Sequence, residues 1–552
     1  MSSRDLSVPV SGRRLVIEVV VVAIVVFVAY AWSRPDSVAT LGRLYDDVVY
    51  LSVGRSIANG TGYHSVHLVG SPVHVKFPPL LPSIYALGWQ AFGTLRGVAA
   101  YAMWLNIVTT AASAAILWWF ARRVLAVSAV TTGLFVLAPV LTDRTMFYFS
   151  GATSEPWMLL GWCVALVLVQ RLERHEAAGR GLVGVAVALG LVLALTVLAR
   201  TQAIAVASAI LLGLAVARLG ARALVAAFLS MAIPLVAWKL SHGSMMARGP
   251  LSTLPDQVSY TSWIPTNDLG AFVTFVGRMV RISAPLYGRN TADLLMGYVS
   301  LKTLLLGAGF IVCGLVGVAL VMRRWPALGL SVVAMIGVLA IWPYVQDRFL
   351  TPVLPVLGLA AAYGVDTLLA TLNPTVRRAA LGMAGLVALL IFGVNARARI
   401  DSARGAPGSP FAHAVSMMVR WIDANTAPRD HIMVSWGGAI YLRTGRQTSI
   451  PDPEEATLAP SVYASPNRFL AGRILADSVD HVIIWDRAPG RAGAALRNLA
   501  TACPGLMTET PRDSIVASSD VHIYRVRRDV QCLNVFATPI PQNDGTGNKN
   551  AP

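Results

Sequence analysis

Charge is what this sequence has least of. Asp, Glu, Lys and Arg make up 13% of its 552 residues, against roughly 25% in a typical soluble chain. So little charge cannot cover the surface of a water-soluble protein of this length. Cysteine is also scarce: there are four, with no CxxC pair, which argues against a zinc ribbon or a thioredoxin-type centre. The chain has no Walker loop and no dinucleotide fingerprint, so nothing in it cradles a nucleotide. No polar segment carries a basic stripe interleaved with aromatics, which argues against nucleic acid as a partner. No fixed-period repeat and no symmetric halves stand out.

Apolar residues fill 55% of the chain and fall in runs of about twenty, the length a helix needs to cross a bilayer. The runs lie at 15–32, 79–94, 98–120, 125–141, 156–171, 183–199, 203–217, 223–240, 299–322, 327–345, 349–371 and 379–395. The first follows Arg13-Arg14 and has no small-residue cleavage site after it, so it reads as an uncleaved span. Orientation comes from six basic clusters: Arg13-Arg14, Arg122-Arg123, Arg171/Arg174/Arg180, Arg218/Arg222, Arg323-Arg324 and Arg377-Arg378. If every run crosses, Arg122-Arg123 and the basic loops after it fall opposite Arg13-Arg14. If 79–94 stays in the interface or is re-entrant, all six share one side. The positive-inside rule selects the second arrangement, with about eleven crossings. Pro78-Pro79 and Pro82 fit a short, non-crossing helix. The net charge of +17 follows from this topology, with attraction to anionic lipid head groups as a second reading.

This topology leaves 33–97, 241–298 and everything after about 396 outside the cytosol. The fold class is therefore a mainly α polytopic membrane protein with a small C-terminal α/β domain. Residues 1–400 form the membrane domain, with 33–97 as its first external loop. Residues 401–537 form the extracytoplasmic domain, and 538–552 read as a disordered Pro/Asn/Gly-rich tail. In the second domain 411–425 reads as a helix. His431 to Ser435, His481 to Trp485 and Ser514 to Arg527 read as strands. Cys503 and Cys532 share this domain and, outside the cytosol, can bond. Loop 241–298 is unusually basic, with Arg248, Arg278, Arg281 and Arg289.

Within the first loop, Leu41 to Ala58 reads as an amphipathic helix that ends at Asn59-Gly60 and carries Tyr45-Asp46-Asp47-Val48-Val49-Tyr50. Asp46 and Tyr50 are one turn apart on it. A carboxylate in a partly dry cleft can act as general base, and an acidic pair on an interfacial helix can equally be solvated surface. His64, His67 and His74 follow in the same loop, without metal-site spacing, and read as polar residues of a mobile loop.

The ordered set of short motifs resembles the GT-C glycosyltransferases of the protein O-mannosyltransferase and aminoarabinose transferase type. Asp46-Asp47-Val48-Val49-Tyr50 is similar to their Asp-Glu-x-x-Tyr. Lys76-Phe77-Pro78-Pro79 is similar to their Lys-Pro-Pro, with Phe77 inserted. Ser154-Glu155-Pro156 stands where a second acidic motif does, and Arg348-Phe349-Leu350-Thr351-Pro352 resembles their Arg-Tyr-Leu-x-Pro. The resemblance implies an inverting transfer of a sugar from a polyprenyl-phosphate-linked donor, on the extracytoplasmic face of the cell membrane. The acceptor hydroxyl would belong to a glycan, a lipid or a protein, and membrane lipids would surround the site. It implies Asp46 as base, with Asp47 in support. Lys76 and Arg348 would stand at the leaving phosphate, and Glu155 and Tyr50 near the acceptor. Asp47 and Glu155 would be the ligands of any Mg²⁺ or Mn²⁺. Arg200, between two runs, fits either the donor-phosphate pocket or a plain helix end. Arg348 fits phosphate recognition or snorkelling, and Glu155 the acceptor side or a helix N-terminus. The competing classes are a secondary transporter, which would carry charge or broken helices at mid-membrane, and a non-catalytic envelope assembly protein.

Overall fold

The structure, a computed structural model, describes residues 12–34, 36–177, 182–246, 264–265, 268–342, 345–405, 410–451, 466–486, 492–510 and 520–533. The chain packs as two compact units. The first comprises Met1–Thr40, Phe77–Arg248 and Ile264–Pro407; the second comprises Leu41–Lys76, Gly249–Trp263 and Gly408–Pro552. The division does not follow the boundary at residue 400 that the sequence suggested: the first loop packs with the C-terminal segment. The expected tail at 538–552, and Arg248, lie outside the described residues.

In the first unit, backbone groups in lipid must be satisfied within the segment, so the apolar runs form helices. The helix Gly12–Ser33 runs antiparallel to Leu95–Trp119, whose end continues as a π-helical turn, Phe120–Val124. At one end Glu18 takes Arg14 at 3.1 Å and Arg122 at 3.0 Å. At the other, Phe27 stacks on Trp104 at 5.8 Å and the Tyr30 hydroxyl donates to the Val140 carbonyl at 2.8 Å. The chain between these two helices therefore starts and finishes at the same end. The helix Leu80–Phe92 has 13 residues, about 20 Å at 1.5 Å per residue, and is the one apolar helix among the described residues of that stretch, so a crossing by it would have no return. It stops at Gly93, whose φ of +64 is open to glycine, and the Thr94 side chain caps the next helix. As the sequence suggested, 79–94 is not a crossing.

The remaining basic clusters gather at the Arg14–Arg122 end. Trp325 packs edge-on against Phe120 at 5.6 Å, and Glu176 approaches Gly220. Asp366 caps Ser128 and Thr131, accepting from the Thr131 hydroxyl at 3.0 Å. Among the described residues, the passes between the two ends are Gly12–Ser33, Leu95–Val124, Ala129–Val140, Glu155–Ala177, Val183–Ala199, Ala203–Val216, Ala221–Met246, Leu301–Met322, Pro326–Ile341, Val353–Leu369 and Pro374–Gly405, eleven in all. Seven helices are long and apolar enough to span a membrane by themselves. One of the seven, Leu269–Met296, is not among the passes and was read from the sequence as loop. The chain leaves the far end at Met246 and re-enters at Ser300. Arg144–Asp293 at 3.2 Å and Asn395 Nδ2 donating to the Leu295 carbonyl at 3.0 Å hold the helix C-terminus there. Arg278, Arg281 and Arg289 made the stretch read as a basic loop, although its best window is apolar enough to span.

In the second unit, five strands form one sheet: β1 (Ile432–Val434), β2 (Thr448–Ser449), β3 (His481–Trp485), β4 (Met507–Glu509) and β5 (Val521–Val526), in the order β2-β1-β3-β5-β4. β1 pairs in parallel with β2 and β3, while β5 runs antiparallel to β3 and β4. The helix Pro410–Asn425, β1 and β3 fall where the sequence put them, and β5 covers the end of the expected 514–527 strand, whose residues 514–519 lie outside the described residues; β2 and β4 were too short to have been seen. Met433, Val482, Ile484, Leu470, Ile474 and Leu499 fill the core. Cys503 is bonded to Cys532, with Cα atoms 5.6 Å apart. The first loop is stitched to the free edge of β2: Thr448 N–H donates to the His67 carbonyl at 2.8 Å, and Val69 N–H to the Thr448 carbonyl at 3.2 Å.

Candidate functional site

At the far end of the first unit, three chain segments bring one acid and two guanidinium groups together. Glu155 opens the helix Glu155–Ala177, Arg200 follows the C-terminus of Val183–Ala199, and Arg348 sits in the 3₁₀ turn Asp347–Leu350. Glu155 is 1% exposed, and Arg200 and Arg348 are each 7% exposed. Arg200 Nη1 lies 3.0 Å from Glu155 Oε1, and Arg348 Nε lies 3.8 Å from the same oxygen. The pairing is through charge, since Glu155 accepts no hydrogen bond from the described residues. Arg200 directs its donors elsewhere, Nη1 to the Ser154 hydroxyl at 2.6 Å and Nε to Gln202 Oε1 at 2.9 Å. Both guanidinium groups lie 5.0 Å from the centre of the Phe349 ring, which fixes their planes.

The turn that carries Arg348 is itself held. Asp347 Oδ1 accepts from the Arg348 N–H at 3.0 Å, and Oδ2 accepts from the Tyr148 hydroxyl at 2.7 Å. Burial, with the Asp347 carboxylate beside it, pushes the Tyr148 hydroxyl above the ordinary tyrosine range. Two guanidinium groups, Arg200 and Arg348, thus share the neighbourhood of Glu155, with the Asp347 carboxylate on the Arg348 turn. Guanidinium forks match phosphate oxygens in shape and charge. Sequence reading singled out Glu155, Arg200 and Arg348 separately. It missed Gln202 and the Tyr148–Asp347 brace, although Asp347 adjoins the Arg348 motif.

Asp46, Asp47, Tyr50 and Lys76 belong to the second unit. The helix Asp46–Ala58 starts five residues after Leu41, where the sequence reading began it, and is buried on nearly every face rather than amphipathic. Tyr45 before it has φ +63, a sparsely populated conformation for a non-glycine residue that concentrates at functional sites. Asp46 is 8% exposed and Asp47 2% exposed. Asp47 Oδ2 accepts from the Gly42 N–H at 3.0 Å and Oδ1 from the Val48 N–H at 2.8 Å, so it pins the chain entering the helix. Tyr50 is fully enclosed and Lys76 half-buried.

The histidines of the loop are structural, not mobile. His67 and His74 are buried, with Nδ1 atoms 2.9 Å from the Ser52 and Ser65 hydroxyls, and His64 Nδ1 is 2.9 Å from the Ser71 carbonyl. Asp47 and Glu155 each have other partners where a divalent cation was expected. The first spends an oxygen on each of two backbone N–H groups, and the second faces two guanidinium groups. Among the described residues no three His, Cys, Asp or Glu side chains cluster in a way that could hold a metal.

A helical membrane bundle with a small α/β unit is the architecture of GT-C membrane proteins. Among solved structures, ArnT from Cupriavidus metallidurans in the apo state is similar over 96% of this chain and 100% of its own, with 15% identity and a TM-score of 0.52. The Archaeoglobus fulgidus oligosaccharyltransferase tethered to an acceptor peptide is similar over 86% of this chain and 69% of its own, at 13% identity and a TM-score of 0.49. Arabinofuranosyltransferase AftD from Mycobacteria is similar over 95% of this chain and 40% of its own, at 16% identity and a TM-score of 0.46. The likeness to ArnT carries the assignment: this chain has the GT-C fold. No protein-family model matches the chain, and no curated protein matches it.

Proposed function

We propose that the protein is an inverting glycosyltransferase of the cell membrane, moving a sugar from a polyprenyl-phosphate donor to an acceptor hydroxyl on the extracytoplasmic face. The observation that carries the reading is the Glu155–Arg200–Arg348 cluster, buried at the end opposite the six basic clusters. Positive-inside bias puts those clusters in the cytosol and this anion receptor outside it. The Cys503–Cys532 bond is in keeping with an oxidising compartment for the second unit.

The donor is a phosphodiester with one negative charge, and the leaving polyprenyl phosphate is a monoester with up to two. Charge therefore grows on the bridging oxygen as its bond to the anomeric carbon breaks. Arg200 and Arg348 would stabilise that growth, which is where preorganised donors accelerate a reaction. The acceptor oxygen attacks the anomeric carbon from the opposite side as its proton passes to a general base, the role that the motif resemblance suggests for Asp46. One displacement inverts the centre. Glu155, whose oxygens accept no hydrogen bond from the described residues, would take one from the acceptor, and Lys76 would add positive charge at the phosphate. Asp47 acts by holding the backbone ahead of Asp46. The acceptor is a glycan, lipid or protein of the cell envelope.

Protein reconstituted in lipid and given a polyprenyl-phosphate-linked sugar should release polyprenyl phosphate, with added undecaprenyl phosphate competing against the donor. Release that product does not inhibit would remove Arg200 and Arg348 as the phosphate site.

A further inference from the structure

At the cytosolic end of the first unit, away from the Glu155 cluster, four helices enclose a groove of about 750 Å³. Val19, Ile116, Val167 and Val185, one from each helix, contribute to an apolar wall. Its polar lining sits on one helix: Gln170, Arg171 and Arg174. Gln170 is 2% exposed. With its amide oxygen turned to the guanidinium, Gln170 accepts from Arg174 Nη2 at 2.8 Å and Nη1 at 3.0 Å, which holds that cation at the rim. Arg171 is exposed beside it.

A basic rim over an apolar trough selects an amphipathic anion. The walls come from helices that cross the bilayer, so an acyl chain reaches them from the lipid phase. The head-group end lies level with the other basic clusters, where the leaflet carries anionic lipid. We propose that the groove binds an anionic glycerophospholipid of the cytosolic leaflet, its chain along the apolar wall and its phosphate on Arg171 and Arg174. This site is distinct from that of the proposed donor. Residues 155 and 171 are 16 positions apart on one helix, about 24 Å at 1.5 Å per residue.

The test is native mass spectrometry of delipidated protein titrated separately with phosphatidylglycerol, phosphatidylcholine and undecaprenyl phosphate. Phosphatidylglycerol should bind tightly. Arg171→Gln with Arg174→Gln should weaken it roughly 30-fold, from the usual attraction per basic residue, and leave phosphatidylcholine unchanged. Val167→Trp should displace it by filling the trough. Arg323→Gln with Arg324→Gln, at the same end but outside the groove, should change it less than about threefold, within the range of a weak surface charge. Equal loss in both arginine pairs would make this a general surface effect and overturn the site. So would phosphatidylglycerol binding that survives both groove variants, or stronger binding of undecaprenyl phosphate that is lost with Arg171 and Arg174.

Discussion

Replacing Arg348 by glutamine should separate ligand binding from stability in a way that Glu155→Gln does not. Arg200 sits 3.0 Å from Glu155 Oε1 and Arg348 sits 3.8 Å from it. Arg200 is thus the nearer partner of Glu155 and Arg348 the more distant one. A hydrogen bond to a charged group contributes about 1.5–3 kcal/mol. Losing one should weaken undecaprenyl phosphate roughly 10- to 150-fold, at 1.4 kcal/mol per decade, while the Glu155–Arg200 pair stays intact. Glu155→Gln instead removes the carboxylate from the buried Glu155–Arg200 pair, a loss of about 3–5 kcal/mol in stability. The assays are calorimetric titration with undecaprenyl phosphate and thermal unfolding, on the same detergent-purified protein. If Arg348→Gln lowers Tm as far as Glu155→Gln and leaves affinity unchanged, the cluster is a structural clamp and the anion-receptor argument fails.

Three further outcomes concern the second unit. Asp47→Ala should destabilise it by about 1–3 kcal/mol in denaturant, because two backbone N–H groups lose their acceptor; an unchanged midpoint would return Asp47 to a purely chemical role. Cys503→Ser with Cys532→Ser should cost about 3–4 kcal/mol by the chain-entropy argument, given the sequence separation of 29, read as a lower Tm that reductant no longer shifts. His481 is depressed below the ordinary histidine range by burial, against the pull of Asp430 and Asp480. The unfolded chain binds this proton more readily than the folded one, so stability rises with pH through this window. It is fully present above the usual histidine pKa of about 6.5 and falls as pH drops towards the folded value. His481→Gln should flatten that part of the Tm–pH curve.

What the sequence revealed and what it hid divide along the range of the interactions involved. Apolar runs and arginine pairs are local signals, and they located the passes and the non-crossing 79–94 helix. The 269–296 helix is apolar enough to span by its best window, and it was passed over because Arg278, Arg281 and Arg289 made the whole stretch read as a basic loop. The convergence of Glu155, Arg200 and Arg348 spans nearly two hundred positions, and no local pattern encodes it; a motif resemblance pointed to Glu155 and Arg348, and position between two apolar runs to Arg200. Loop 41–76 looked like part of the membrane domain because it lies between two apolar segments. Its pairing with Thr448 is a non-local backbone bond, which leaves no trace in composition. For the same reason His67 and His74 looked like mobile polar residues when their serine partners and burial make them part of a packed loop.

The most direct test of lipid-linked sugar transfer uses the polyprenyl-phosphate-sugar fraction extracted from cells that make the protein. It is incubated with reconstituted wild type or Asp46→Asn and an envelope acceptor fraction, and released polyprenyl phosphate and the anomeric configuration of the product are measured. The account predicts one polyprenyl phosphate released per sugar transferred, inversion at the anomeric carbon, and loss of both release and transfer in a normally folded Asp46→Asn protein. Undiminished turnover in that variant, or transfer supported by a nucleotide sugar alone, would contradict it.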